Sequence, residues 1–74
     1  MKSLIEKELN ELKEGEEKSL TCGNNVVIVR KQQWYYYKGK KRIGYLSCKI
    51  GKWNNLFDVK IDYAVDHIYA GLIS

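Results

Sequence analysis

Residues 26–29 (VVIV) constrain the fold more than any other stretch of this 74-residue chain, because they place four β-branched side chains in succession. Such side chains lose rotamer freedom in a helix and pack well on the pleated surface of a sheet. The stretch therefore predicts a β-strand. Since no polar residue alternates with the apolar ones, we expect this strand to be covered on both faces.

Further strand patterns surround this one. KSLTC (18–22) precedes it, and the turn-forming residues GNN connect the two segments. QWYYY (33–37), the turn KGKK (38–41) and RIGYLSC (42–48) follow it. Short connections favour antiparallel pairing, so we predict a three-stranded antiparallel meander. A fourth strand arises if residues 33–37 separate from residues 26–30.

The sequence leaves open whether residues 30–33 form a bend or continue the strand. In a continuous strand, successive side chains alternate between the two faces of the sheet. One face would then carry Val27, Val29, Tyr35 and Tyr37, and the other Val26, Ile28, Trp34 and Tyr36. A bulge near residues 31–33 would exchange the second half of each set.

An amphipathic helix is predicted before the strands. Ser3 and Glu6 have the spacing of a capping box, in which the two side chains satisfy the first backbone N–H groups of a helix. Gly15 supplies a stop signal, because glycine readily adopts the left-handed conformation that ends helices. Three apolar residues share one side of this helix: Ile5, Leu9 and Leu12.

A second helix is predicted at the C-terminus, after a loop KIGKWNN (49–55) in which Asn54 or Asn55 would cap it. Asp58 and Asp62 would lie in its first turns and complement the helix dipole. Its apolar stripe comprises Phe57, Ile61, Ala64, Val65, Ile68 and Leu72. The predicted fold class is thus α+β, a single domain over residues 1–74 with both helices on one face of the sheet or one on each.

The formal net charge of +4 is distributed unevenly along the chain. Residues 19–60 hold nine Lys and Arg against the single Asp58, whereas residues 1–18 and 61–74 are each net negative. Concentrated positive charge favours a polyanionic partner. The alternative is a solvated sheet edge on which lysines discourage aggregation.

Catalysis and metal binding find little support in the residue types present. The single His67 lies on the polar side of the second helix, and a nucleophile requires a base beside it. Asp58, Asp62 and Asp66 would spread over roughly 12 Å of that helix, too far to share one ion. Cys22 and Cys48 lack the spacing of a zinc site, and whether they pair depends on whether their strands are neighbours. We predict a protein that is not an enzyme and has no cofactor.

No apolar run approaches the roughly 18 residues of a membrane helix. The N-terminal segment is charged throughout, which is unlike a signal peptide or anchor. We therefore expect a soluble, cytoplasmic protein with no membrane association.

Two functions remain open for the basic, aromatic middle of the chain. Tyr, Trp and Arg are enriched in interface hot spots, which favours a small protein-interaction module, a homodimer that regulates or inhibits a larger partner such as an acidic protein. Cations that neutralise phosphates, beside rings that stack on bases, favour nucleic-acid binding as the alternative. Both functions use the same candidates: Arg30, Lys31, Trp34, Tyr35, Tyr37, Lys38, Lys40, Lys41, Arg42 and Tyr45.

The two functions share a hypothesis about which rings face outward. Trp34 and Tyr36, or their neighbours by alternation, would pack beneath the helices. Tyr35, Tyr37 and the turn KGKKR (38–42) would then face the partner.

Overall fold

Both helices lie on one face of a four-stranded antiparallel sheet in which each strand pairs with the next one along the chain. The computed structural model describes the backbone of residues 1–35 and 37–74, and the side chains of residues 1–33 and 38–74. The helices and strands are α1 (Lys2–Glu11), β1 (Glu17–Cys22), β2 (Asn25–Tyr35), β3 (Lys41–Lys49), β4 (Lys52–Leu56) and α2 (Ile61–Ile73). A short 3₁₀ turn, Tyr37–Gly39, lies between β2 and β3. The α+β prediction is confirmed.

Strand β2 continues without a bulge from Asn25 to Tyr35, which answers the question left open at residues 30–33. The fourth strand does not come from a break in β2. It is β4, in a segment that had been predicted as a loop. A five-residue strand with two asparagines has low β-propensity, so the pattern there gave little sign of it. Pairing with residues 45–49 of β3 stabilises this strand despite its low β-propensity.

The helices pack on one face of the sheet and leave the other face exposed. Val27 and Val29 point toward the helices and are 2% and 1% exposed, whereas Val26 on the opposite face is 44% exposed. The prediction that both faces of this strand are covered is therefore wrong. The predicted alternation of Val27 and Val29 against Val26 and Ile28 is confirmed.

Helix α1 buries Ile5 and Leu9 as predicted. Leu12 is also buried, but it lies just beyond the helix as its extended C-cap residue. The predicted capping box is wrong, because the helix begins at Lys2 with Met1 as its N-cap and no side chain caps it. Gly15 does adopt a positive φ of 86°, but it lies beyond the helix in the turn that leads into β1.

Helix α2 begins at Ile61, four residues later than the apolar stripe suggested. Asp58 has a φ of 59°, a left-handed conformation that a right-handed helix cannot contain. Asn55 caps the preceding turn instead of the helix, since its Oδ1 accepts a hydrogen bond from the Phe57 N–H at 2.7 Å. Four members of the predicted stripe are buried against the sheet: Ala64, Val65, Ile68 and Leu72.

The C-terminal turn of α2 is held close to the sheet. A Cβ atom on Gly71 would lie 3.1 Å from Val27 Cγ2, so glycine permits this close approach. The Lys49 Nζ donates a hydrogen bond to the Gly71 carbonyl at 2.6 Å, and Asn25 Nδ2 donates to the Leu72 carbonyl at 2.9 Å. These bonds satisfy carbonyls that the end of a helix leaves without partners.

The turn between β3 and β4 contains a residue ill suited to its conformation. Ile50 has a φ of 52° and Gly51 a φ of 74°, and such paired positive values define the two-residue turn that favours Asn-Gly. The left-handed region costs a β-branched residue about 1–2 kcal/mol. Because Ile50 is 93% exposed, no burial offsets this strain within the monomer.

We expect Ile50→Asn to raise the free energy of unfolding by about 1 kcal/mol, because asparagine tolerates the left-handed conformation. Urea denaturation measured by circular dichroism would give this change. Ile50→Val, which keeps the branched Cβ, is the matched control and should bring no gain. Equal stability of the asparagine variant and the wild type would contradict the strain at this turn.

Candidate nucleic-acid interface

The hairpin formed by β2 and β3 projects beyond the rest of the sheet. Strand β1 begins opposite Arg30, and the turn before it exchanges backbone hydrogen bonds with Lys31; β4 ends opposite Tyr45. Among the described residues, the part of the hairpin beyond these points pairs only with itself, from Gln32↔Gly44 to Tyr35↔Lys41. We call residues 32–44 the arm. The molecule is elongated, with principal-axis extents of 42, 25 and 19 Å.

The helices do not cover the arm. Ile43 lies on the same face of β3 as Ser47, yet Ile43 is 47% exposed and Ser47 only 3%. Gln33, which pairs with Ile43, is also exposed. The helix layer therefore ends near Tyr45, and the arm is a two-stranded ribbon reaching into solvent.

The formal net charge of the chain arises from the residues of this ribbon. The arm contains four cationic residues and no Asp or Glu, and the nine Lys and Arg elsewhere equal the nine Asp and Glu in number. The whole excess of +4 is thus confined to 13 consecutive residues. The four cations are Lys38, Lys40, Lys41 and Arg42.

These cations are distributed around the ribbon. Lys38 and Lys40 lie in the turn at the tip, where Lys38 and Gly39 have φ values of 67° and 71°. Lys41 lies toward the helix side, where its Nζ is 3.7 Å from the Glu14 Oε2. Arg42 follows Lys41 in an extended strand, so it points to the opposite face.

The helix side of the arm forms one wall of an open groove of about 530 Å³. Ile43 and Val59, which are 47% and 38% exposed, supply apolar surface there. Lys60, just before α2, brings a further cation to this side, and Asp58 brings one carboxylate.

Two predicted site residues lie outside the arm and are engaged within the molecule. The Arg30 Nε and Nη2 donate to one Glu17 carboxylate oxygen at 3.2 and 2.9 Å. The Arg30 guanidinium also lies 5.6 Å from the centre of the Trp53 ring. The Lys31 Nζ lies 5.8 Å from the centre of the Tyr45 ring at the base of the arm.

Tyr45 packs against the core between the sheet and α1. Its hydroxyl donates a hydrogen bond to the Leu9 carbonyl at 3.1 Å. Burial raises the pKa of this hydroxyl above its usual value of about 10. The Tyr45 ring therefore has a structural role at the edge of the core, and it lies outside the arm.

We expect Tyr45→Phe to lower the free energy of unfolding by about 1 kcal/mol near neutral pH, since the Leu9 carbonyl loses a partner. Because the folded pKa is raised, the wild type should lose stability as pH rises above about 10, and the phenylalanine variant should lose less. Thermal melts between pH 7 and 11 would test both statements. Parallel pH dependence of the two proteins would contradict them.

Three predicted site residues have side chains outside the described part of the structure: Trp34, Tyr35 and Tyr37. The hypothesis about which of these rings face outward, together with Tyr36, therefore stays a prediction. The backbone of Trp34 and Tyr35 is described, and these two residues pair with Arg42 and Lys41 within the arm.

Trp53 was not among the predicted site residues, although it is 45% exposed on the face of the sheet away from the helices. With Glu17 and Arg30 it forms a row that crosses from β1 to β4. Cys48, the cross-strand partner of Trp53, is only 6% exposed on this open face. The row thus covers part of a face that no helix protects. A tryptophan in a segment read as a loop was the one sequence signal for it.

Cys22 and Cys48 are both free thiols. Their strands, β1 and β3, are separated by β2 in the sheet. Cys22 packs against the core cluster on the helix side, whereas Cys48 lies on the open face. The fold therefore does not bring the two thiols together.

No group of three His, Cys, Asp or Glu residues in the described part of the chain is arranged to hold a metal ion. The described helices include none with the length and apolar character needed to cross a membrane.

Comparison with protein-family models, with curated proteins and with solved structures finds no match to this chain. The fold and the site define a two-layer α+β domain that carries a projecting basic β-ribbon. We therefore infer function from the geometry of that ribbon.

Proposed function

We propose that this protein is a non-catalytic module that binds nucleic acid through its arm. The observation that supports this proposal most is the confinement of the whole net charge to a ribbon free of carboxylates. Phosphates concentrate negative charge as few other cellular ligands do. Each lysine or arginine that neutralises one releases a condensed counterion, which drives association.

The shape of the molecule supports the same function. An exposed ribbon can approach a nucleic acid without interference from the helices, because they pack on the end of the sheet away from the arm. The sequence also places four aromatic residues at 34–37, next to the cations of the arm. Base stacking on such rings contributes about 1–3 kcal/mol per base where it occurs.

Fluorescence anisotropy with a labelled nucleic acid, titrated at several salt concentrations, tests this proposal. Four phosphate contacts predict that the logarithm of the association constant falls against the logarithm of salt concentration with a slope of about −3.6 for a duplex. No binding to any nucleic acid at low salt, or binding indifferent to salt, would show that the arm has another use.

A second candidate is self-association through the open face of the sheet. Two exposed apolar residues of this face favour it, Val26 and Trp53, which are 44% and 45% exposed, and Ile50 in the adjoining β3–β4 turn is 93% exposed. Glu17 and Arg30 neutralise each other on this face, so two copies could meet there without the repulsion that two arms would experience. A homodimer of this kind would present two arms.

Size-exclusion chromatography with light scattering distinguishes this second candidate. A dimer that dissociates on Trp53→Ala would support it, with Leu4→Ala, an exposed residue of α1, as the control. A monomer at all concentrations up to about 100 µM, well above the micromolar range of weak specific complexes, would leave the arm as the sole proposed interface.

A further inference from the structure

We infer that the outer edge of β1 and the helix α1 beside it form a groove that binds an extended peptide with apolar and basic side chains. We call this groove, which lies between residues 1–12 and residues 16–21, the edge groove. The peptide adds to the sheet as a further strand, antiparallel to β1. The inference is independent of the proposed function, because the edge groove contains no residue of the arm.

The outer edge of β1 carries backbone groups that no described residue pairs with. In the described part of the chain, β1 is the first strand of the sheet and pairs with β2 alone. The Lys31 N–H donates to the Glu16 carbonyl, and the Lys31 carbonyl accepts from the Gly15 N–H, so both groups of Lys31 point toward the β1 side. Alternate residues of an antiparallel strand point their groups the same way. With the observed register, three residues of β1 therefore point their N–H and carbonyl groups outward: Glu17, Ser19 and Thr21.

Little protects this edge from a further strand. Natural sheets protect their edges with prolines, bulges or charged side chains. Strand β1 contains no proline and pairs with β2 without a bulge, and residues 19–22 carry no charge. Ser19 and Thr21 are both exposed. An edge of this kind is a template for strand addition, in which backbone hydrogen bonds supply affinity and pockets for alternate side chains supply specificity.

Helix α1 provides such a pocket next to the edge. A recess of about 220 Å³ lies between the N-terminal half of α1 and residues 18–21 of β1. Ile5 and Leu72, which are buried, line its inner part, and Met1 and Leu4, which are 52% and 56% exposed, line its outer part. Alternate side chains of a strand added to β1 point toward the helix side of the sheet. An apolar side chain there would enter this recess.

The other end of the edge groove is acidic. Four glutamates and one lysine line it, between the C-terminal half of α1 and the start of β1. Two of the glutamates are paired with Lys18 or Arg30. The other two, Glu11 and Glu16, form no ion pair with a described residue. Glu11 lies in the last turn of α1, where the helix dipole adds negative charge and no basic residue offsets it. A lysine or arginine of the peptide complements this end.

A peptide suits the edge groove better than a second copy of the chain. Two copies joined antiparallel through β1 are related by a two-fold axis perpendicular to the sheet, so both α1 helices would lie on the same side of the joined sheet. The space beside the edge is already lined by α1 of the first copy. A single extended segment needs only the width of one strand, about 4.8 Å.

A designed peptide tests this inference on the full chain. The probe is acetyl-KTVTVTK-amide, in which lysines and valines share one face of a strand and threonines share the other. An NMR titration with peptide up to about 1 mM should show saturable binding. The charge-reversed peptide ETVTVTE is the matched control and should bind about tenfold more weakly or less. No saturable binding of the lysine peptide, or equal binding of both peptides, would overturn the inference.

Backbone methylation of the peptide tests strand addition. In an antiparallel strand whose valines enter the recess, the threonine N–H groups point at β1 and the valine N–H groups point away. N-methylation of the threonines should therefore weaken binding about tenfold or more, whereas N-methylation of the valines should change it little. Equal effects of the two modifications, or a loss confined to the valine set, would overturn the antiparallel added strand.

Amide hydrogen exchange locates the added strand on the protein. The Ser19 and Thr21 N–H groups should exchange rapidly in the free protein and about tenfold more slowly in the complex. The Leu20 N–H points toward β2 and is the internal control. Unchanged exchange of Ser19 and Thr21 in the saturated complex would show that the peptide binds elsewhere.

Substitutions in α1 test the two ends of the edge groove. Leu4→Ala should weaken binding of the lysine peptide roughly fivefold, and Ile73→Ala, at a similarly exposed position of α2, is its control. Glu11→Gln should weaken binding roughly threefold, and Asp62→Asn, which removes one exposed carboxylate from α2, is its control. Wild-type affinity in both α1 variants would overturn the edge groove as the binding site.

Discussion

Replacing three arm cations together, Lys40→Ala, Lys41→Ala and Arg42→Ala, should reduce the affinity for duplex DNA several hundredfold at about 0.1 M salt. Each lost phosphate contact removes about 0.9 from the slope of log affinity against log salt, so the slope should become shallower by about 2.7. Anisotropy titrations between 50 and 200 mM salt would measure both quantities.

The matched control removes the same charge elsewhere. Lys7, Lys13 and Lys52 are exposed and lie outside the arm, so their replacement by alanine lowers the net charge equally. This control should bind within a few fold of the wild type, since the Debye length at such salt is about 10 Å. An equal loss in both triple variants would mean that net charge, and not the arm, drives binding.

Ile68→Ala should lower the free energy of unfolding by about 2–5 kcal/mol. Ile68 is 1% exposed in the middle of α2 and belongs to the core cluster formed by both helices and the sheet. The truncated side chain loses both its transfer free energy and the contacts around the cavity that remains. We expect a domain this small to have a stability near the low end of about 5–15 kcal/mol, so a loss at the upper end of this range would leave comparable populations of folded and unfolded molecules.

Ile73→Ala is the matched control for this loss, because it removes the same atoms from the same helix at a position that is 58% exposed. Urea denaturation should place its stability within about 0.5 kcal/mol of the wild type, as for most surface substitutions. Equal destabilisation by the two substitutions would show that α2 does not pack on the sheet through the Ile68 side.

The predictable parts of the fold were those with strong local periodicity. Ile5, Leu9 and Leu12 recur at helical spacing, and each is buried, although Leu12 lies one residue beyond the end of the helix. The β-branched run at residues 26–29 lies in the first half of the longest strand. In both segments the local preference and the tertiary packing favour the same conformation.

Strand β4 and the start of α2 were less predictable. Neither KWNNL nor the turn at Asp58 has a periodic pattern, and each depends on pairing or packing with distant residues. The capping box at Ser3 was a local motif that the helix does not use, since α1 begins at Lys2.

The candidate site, too, could be predicted from the sequence only in part. The cations of the turn were visible in the sequence, and so was their excess over carboxylates. The sequence could not separate them from Arg30 and Tyr45, which the structure places in contacts within the domain. Trp53 went unnoticed as a surface residue because its strand was not predicted.

By itself, then, the sequence determined the fold class, the buried sides of both helices and the basic character of the β2–β3 hairpin, because these follow from residue type and short-range spacing. Only the tertiary structure decided that β1 and β4 end before the hairpin does. Strand lengths relative to one another depend on long-range pairing, which leaves no local trace. That difference in length is what turns a basic stretch of sheet into a free-standing arm.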